Sequence, residues 1–201
     1  MNSASDSRGI WAWDIVKYVT IGSLLVFCGL ILIYGYTEEG VRQQIRWSAR
    51  ISFVLFVLAF GASGIHFYFK NSLTWWIRMN RKYLGISFAI IHLLHLGSIV
   101  LLQLSFHPVF DEAASISLMG GGAAYFFIVA MLLTSFESFS KYLSKGAWKT
   151  LHKIGGYWIW IVFLVTYHKR TDEPWHWTYV VVLLMILLLR LYQNRNNKSI
   201  T

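Results

Sequence analysis

The chain has 201 residues, of which 56% are hydrophobic, 17% aromatic and only 13% charged. With a mean hydropathy of +0.51, this is the composition of an integral membrane protein and not of a soluble domain. The net charge of +9 does not indicate nucleic acid, because the basic residues segregate by loop.

Six apolar runs follow one another, each near the roughly 20 residues that cross a bilayer. They lie at 14–36, 49–69, 83–104, 120–138, 147–167 and 175–192. This predicts an all-α integral membrane protein, a six-transmembrane-helix bundle forming a single domain over 1–201. No Gly-rich nucleotide fingerprint follows a strand pattern, so any flavin is expected on a partner polypeptide. The first run is longer than a signal-peptide core of about 7–15 residues and is read as a retained helix. It holds Cys28, the only cysteine, which can form neither an internal disulfide nor an iron–sulfur site. Cys28 is read as a small buried apolar residue.

The second run, "ISFVLFVLAFGASGIHFYF", nearly closes on His66. The third, "YLGISFAIIHLLHLGSIVLLQL", carries His92 and His95. His107 precedes Pro108 and is expected to end that helix. The fifth, "WKTLHKIGGYWIWIVFLVTY", opens with His152, and His168 stands at its far edge. His176, between Trp175 and Trp177, reads as an interfacial polar residue, as does His107.

Charge orients the bundle. Of the 18 Lys and Arg, Arg42, Arg46, Arg50, Lys169 and Arg170 fall on one side and the remaining thirteen on the other. Glu38, Glu39, Asp111, Glu112, Asp172 and Glu173 lie opposite the basic side. The positive-inside rule then places both termini and the 70–82 and 139–149 loops in the cytoplasm. His66, His92, His95 and His152 form a layer in the cytoplasmic half, with His152 about one turn inside its helix.

An unpartnered buried polar side chain costs roughly 2 kcal/mol or more, so intramembrane histidines are functional candidates. Histidine is also the usual protein ligand of b-type haem iron. Three helices with histidine at similar depth suggest haem between helices. His92 and His95 are about 60° and 4.5 Å apart on one helix and cannot both bind one iron axially. One of them can meet His152 across the bundle. Gly61, Gly64, Gly85, Gly97, Gly155 and Gly156 leave room for a macrocycle or let helices approach closely. Lys149, Lys153, Arg81 and Lys82 stand where haem propionates can emerge, or snorkel from helix ends.

"NRKYLGISFAIIHLLH" resembles the Arg-Arg-x-Leu-Gly segment, with histidine downstream, of ferric-reductase-like transmembrane proteins. "LTSFESFSKYLSKGAWKTLHKIGGYWIWIVFLVTY" resembles that family's Leu-Thr-Ser, Trp-x-x-Leu-His and Tyr sequence. The likeness spans roughly 46–192 and is nearest to the MsrQ-type haem-binding membrane subunit of a periplasmic methionine sulfoxide reductase system. It implies a haem b protein of the bacterial inner membrane that transfers electrons. The donor would be quinol or a flavoprotein, and the acceptor a partner reductase. His95, ten residues after Gly85, and His152, after Trp148 and Leu151, match the family's ligand histidines. His92 and His66 fall outside the MsrQ-type pattern. They are open to a second haem, a quinone site or a hydrogen-bonding role.

Family members often carry a second histidine about 20 Å further along each helix. Here Val165 and Thr166 stand where it is expected after His152. His168 lies about 24 Å along and about 160° round from His152, which makes it an interfacial residue before an outer ligand. Two other functions compete. One is a haem-bearing anchor of a larger redox complex. The other is a histidine-containing transporter, disfavoured by the lack of an internal repeat.

Overall fold

A computed structural model describes residues 6–108, 112–169 and 176–198. Of the residues used above, Asp111, Arg170, Asp172, Glu173 and Trp175 lie outside them. The described residues form helices joined by short turns: α1 (Asp6–Tyr34), α2 (Glu38–Tyr68), α3 (Ser72–Met79), α4 (Arg81–Phe106), α5 (Glu112–Leu133), α6 (Glu137–Ser140), α7 (Lys145–His168) and α8 (His176–Lys198).

Four helices are long and apolar enough to cross a membrane: residues 12–34 of α1, all of α2 and α4, and residues 176–196 of α8. The expected runs at 120–138 and 147–167 correspond to α5 and α7. The described apolar part of α5, Gly120–Leu133, is shorter than a crossing needs. The first turns of α7 carry Lys145, Lys149 and Lys153, which lower its hydropathy. The outward apolar surface suits a lipid surround: Leu32 and Ile33 at the end of α1 are 86% and 75% exposed, a pattern soluble proteins avoid in contiguous patches.

The chain forms two compact units. The first comprises Met1–Phe56 and Asn80–Val109, the second Val57–Met79 and Phe110–Thr201. In the first, α1 lies along α4. Trp13 meets Tyr83 edge-on at 5.3 Å, and Tyr36, just past α1, bonds Ser105 at 2.7 Å. Low numbers pair with low and high with high, so these helices run parallel. α2 runs antiparallel to α4: Ser48 reaches His95, Ser52 reaches His92, and Phe56 lies 5.5 Å from Phe88. The turn into α2 is built by backbone chemistry. Gly35 adopts φ +67 and donates its N–H to the Ile31 carbonyl at 2.8 Å, closing α1. The Gly40 N–H donates to the Thr37 hydroxyl at 3.2 Å, opening α2. A Cβ on Gly40 would sit 2.6 Å from the Gly35 carbonyl.

In the second unit α5 and α7 are antiparallel, with Trp148 bonded to the Thr134 carbonyl at 2.9 Å and Trp158 to the Gly120 carbonyl at 3.4 Å. α7 and α8 are also antiparallel, joined by the buried Trp160 indole donating to the Leu183 carbonyl at 3.0 Å. The end of α2 runs parallel to α8. Added Cβ atoms on Gly61 and Gly64 would meet Ile186 at 3.2 Å and the Leu189 backbone at 3.1 Å. Arg190 clasps this contact. It donates to the Phe60 carbonyl at 2.7 Å and stacks 4.2 Å over the Phe60 ring.

Three features depart from the sequence reading. The 70–82 segment is not only a loop: Ser72–Met79 is helical, with Asn71 Oδ1 accepting the Thr74 N–H at 2.9 Å. The fourth run ends at Leu133, five residues early, because Thr134 and Ser135 turn their hydroxyls back onto the Ala130 and Met131 carbonyls. Cys28 is exposed, not buried, since α1 contacts the first unit along one face only.

Candidate functional site

Each of the four central histidines is held through one ring nitrogen by a hydroxyl. In the first unit, His95 Nδ1 lies 3.0 Å from Ser48 Oγ and 3.1 Å from the Ile45 carbonyl. His92 Nδ1 lies 3.0 Å from Ser52 Oγ. In the second unit, His66 Nδ1 lies 3.1 Å from Thr74 Oγ1, and His152 Nε2 lies 3.2 Å from Thr134 Oγ1.

Each hydroxyl also reaches a backbone carbonyl. Ser48 donates to the Gln44 carbonyl at 2.7 Å, Ser52 to the Ala49 carbonyl at 3.0 Å, and Thr134 to the Ala130 carbonyl at 2.7 Å. Thr74 donates to the Phe69 and Asn71 carbonyls. One ring proton is fixed by a group that can only accept: the Ile45 carbonyl requires His95 Nδ1 to donate. A neutral His95 then carries its lone pair on Nε2, the nitrogen that usually binds haem iron. His152 differs in meeting its hydroxyl through Nε2 and not Nδ1. Its ring also lies flat on Trp148, centroids 4.1 Å apart at 28°.

The structure brings His92 and His95 together, their rings stacked at 5.1 Å and 28°. His66 stands alone in the last turn of α2, tied to α3. His152 lies about two turns inside α7, deeper than expected, because α7 begins at Lys145. His95 belongs to the first unit and His152 to the second. Among the described residues, no three His, Cys, Asp or Glu side chains gather as a metal cluster.

The outer histidines divide. His107 ends α4 in the left-handed region, φ 46 and ψ 47, its N–H on the Gln103 carbonyl, and it is exposed. His168 is exposed at the end of α7, edge-on to Trp177 at 6.2 Å. His176 departs from the interfacial reading. It is 8% exposed, lying 6.3 Å from Tyr167 and 6.2 Å from Tyr179, because the two helix ends close over it.

The glycines divide as well. Cβ atoms on Gly85 and Gly97 would meet nothing within 4 Å, which leaves room beside α4. On Gly155 one would lie 2.5 Å from Met131 Sδ, and on Gly156 3.5 Å from the Phe60 ring. With Gly61 and Gly64, these are close-approach glycines. Lys82, Lys149, Lys153 and Arg81 are exposed at helix starts.

Sequence reasoning missed Ser48, Ser52, Thr74 and Thr134. Gln44, Ser48 and Ser52 recur every four residues and are 6%, 0% and 0% exposed. That spacing is a one-face polar stripe, visible in the sequence once the partner helix is known. No family model, curated protein or solved structure matches the chain. The likeness to ferric-reductase-like proteins therefore rests on the quoted motifs.

Proposed function

We propose that the chain is a b-type cytochrome, a membrane electron-transfer component of an oxidoreductase system. All six long helices cross the membrane with both termini cytoplasmic, in a bacterial inner membrane. His95 and His152, the two positions that match the quoted ligand motifs, would hold the haem. The observation that carries the reading is the pair of acceptors on His95 Nδ1, Ser48 Oγ at 3.0 Å and the Ile45 carbonyl at 3.1 Å. Together they orient the imidazole and fix its proton on Nδ1.

When bound, haem b supplies reversible one-electron chemistry. The chain's residues do the rest. Ser48 and Ile45 fix the ring plane and proton of His95. Gly85 keeps space beside α4. The apolar helices exclude water. His152 fits only after its ring leaves Thr134, which breaks one hydrogen bond of about 1 kcal/mol. The donor to such a haem would be a quinol or a separate flavoprotein, and the acceptor a partner reductase.

Reduced-minus-oxidised spectra of the purified protein test this. Wild type gives b-type bands, and His95→Ala and His152→Ala each lose most of them. His107→Ala and His176→Ala keep them. Six-coordinate low-spin spectra surviving in both ligand variants would refute the assignment.

A further inference from the structure

The first unit holds a cavity of about 430 Å³ between α1, the start of α2 and α4. Its walls are almost wholly apolar, with Leu24, Phe27 and Ile31 of α1 facing Leu94 and Leu101 of α4. Gln44 also lines it. This residue is only 6% exposed, and its side-chain amide makes no hydrogen bond within the described residues. A buried primary amide opening onto an apolar space calls for a ligand atom that pairs with it.

The cavity has a direction. Of its polar lining, Tyr36 and Gln44 lie toward the α1–α2 turn, Ser98 on α4 has its hydroxyl on the Leu94 carbonyl, and the far end reaches Leu24 and Leu93. Gln44 stands at the level of Glu38, Glu39, Arg42 and Arg46, which form two surface ion pairs at 2.6 and 2.9 Å. That charged band marks the headgroup region, so the apolar end points into hydrocarbon. Cys28 and Leu24 are exposed at the rim, leaving the cavity open on the lipid-facing side of α1.

We propose that this cavity is a specific site for one glycerophospholipid. One acyl chain fills the apolar length along α1 and α4, and its ester carbonyl accepts a hydrogen bond from the Gln44 amide. A chain with a carbonyl at its shallow end matches both the length of the cavity and the single polar contact at interfacial depth. Bulk lipid would cover the outer faces of the helices without satisfying Gln44.

Gly97 supplies the test. It lines the cavity, and a Cβ there meets nothing within 4 Å. Gly97→Leu should fill the space without a clash and improve helix propensity. Native mass spectrometry of the full chain, released from mild detergent after purification from the membrane, reads the outcome. Wild type is expected to carry one phospholipid per chain. Gly97→Leu should lose it while melting no lower than wild type. Gln44→Leu should cut the retained fraction about tenfold, the loss of one hydrogen bond to a buried partner. Gln43→Leu, whose side chain bonds Glu39 outside the cavity, should retain the lipid. Absence of the phospholipid from wild type, or equal retention in Gly97→Leu, overturns the proposal. An adduct with the mass of a prenylated quinone in place of phospholipid overturns it too. The haem reading is scored separately on the same samples by their visible spectrum.

Discussion

Ser48 shows how a small polar residue prepares a histidine in hydrocarbon. Its proton goes to the Gln44 carbonyl and its oxygen faces His95. Ser48→Ala leaves the Ile45 carbonyl in place, so His95 keeps its Nδ1 proton but is held less firmly. The expected result is retained haem with a raised midpoint potential, because a ligand whose Nδ1–H loses an acceptor is a weaker donor to ferric iron. An unchanged potential would show that Ser48 is packing only. Thr134→Val is expected to act oppositely on His152, releasing Nε2 and leaving haem content at or above wild type. A loss of haem in that variant would make Thr134 a support of the ligand and not its competitor. Ser87 is a control: its hydroxyl is fully buried without a hydrogen-bond partner. Ser87→Ala should leave the melting temperature unchanged or raise it, whereas a drop would mean the hydroxyl is paired in the membrane.

At the scale of helices, the histidine-bearing segments were legible and their partners were not. Apolar run length located the long helices, four of them long and apolar enough to cross a membrane among the described residues, and His107 before Pro108 marked the end of α4 as found. The α5 terminus was missed because Thr134 and Ser135 can continue a helix or back-bond to its last carbonyls, and only the Trp148 indole on the Thr134 carbonyl favours the second. Helix α3 was missed because its cap, Asn71, lies in a short polar segment that reads as a turn. The glycines were ambiguous for the same reason: open space at Gly97 and contact at Gly64 are properties of the neighbour. The α2–α8 contact makes a prediction of its own. Gly64→Leu drives a side chain into the Leu189–Arg190 backbone at 3.1–3.2 Å and should destabilise the protein by about 1–3 kcal/mol. A thermal-unfolding curve superimposable on wild type would show that the two helices do not approach this closely.

For the whole molecule, the proposed topology rests on charge. Two of the five opposing basic residues, Arg42 and Arg46, are paired with Glu38 and Glu39, which sharpens the asymmetry between the two sides. A reporter active only in the periplasm, fused after Thr201, should therefore give no signal. A strong signal would invert the bundle and move the histidine layer to the outer half. Under the proposed function, His66 and His92 are the residues that would set the number of haems. They share the Nδ1-anchored state of His95, as a second ligand pair requires. If they bind a second haem, alanine at either position halves the haem content. If they line a quinone site, the content stays and reduction by quinol is lost.

The most direct test of the account is a pyridine haemochrome assay on the purified full-length protein, read as haem b per chain. The account predicts at least one haem b in wild type and close to none in His95→Ala, with the variant still folded by circular dichroism. A colourless wild-type protein reconstituted with haem to no stoichiometric end point would contradict it and leave the histidines as hydrogen-bonded members of the bundle.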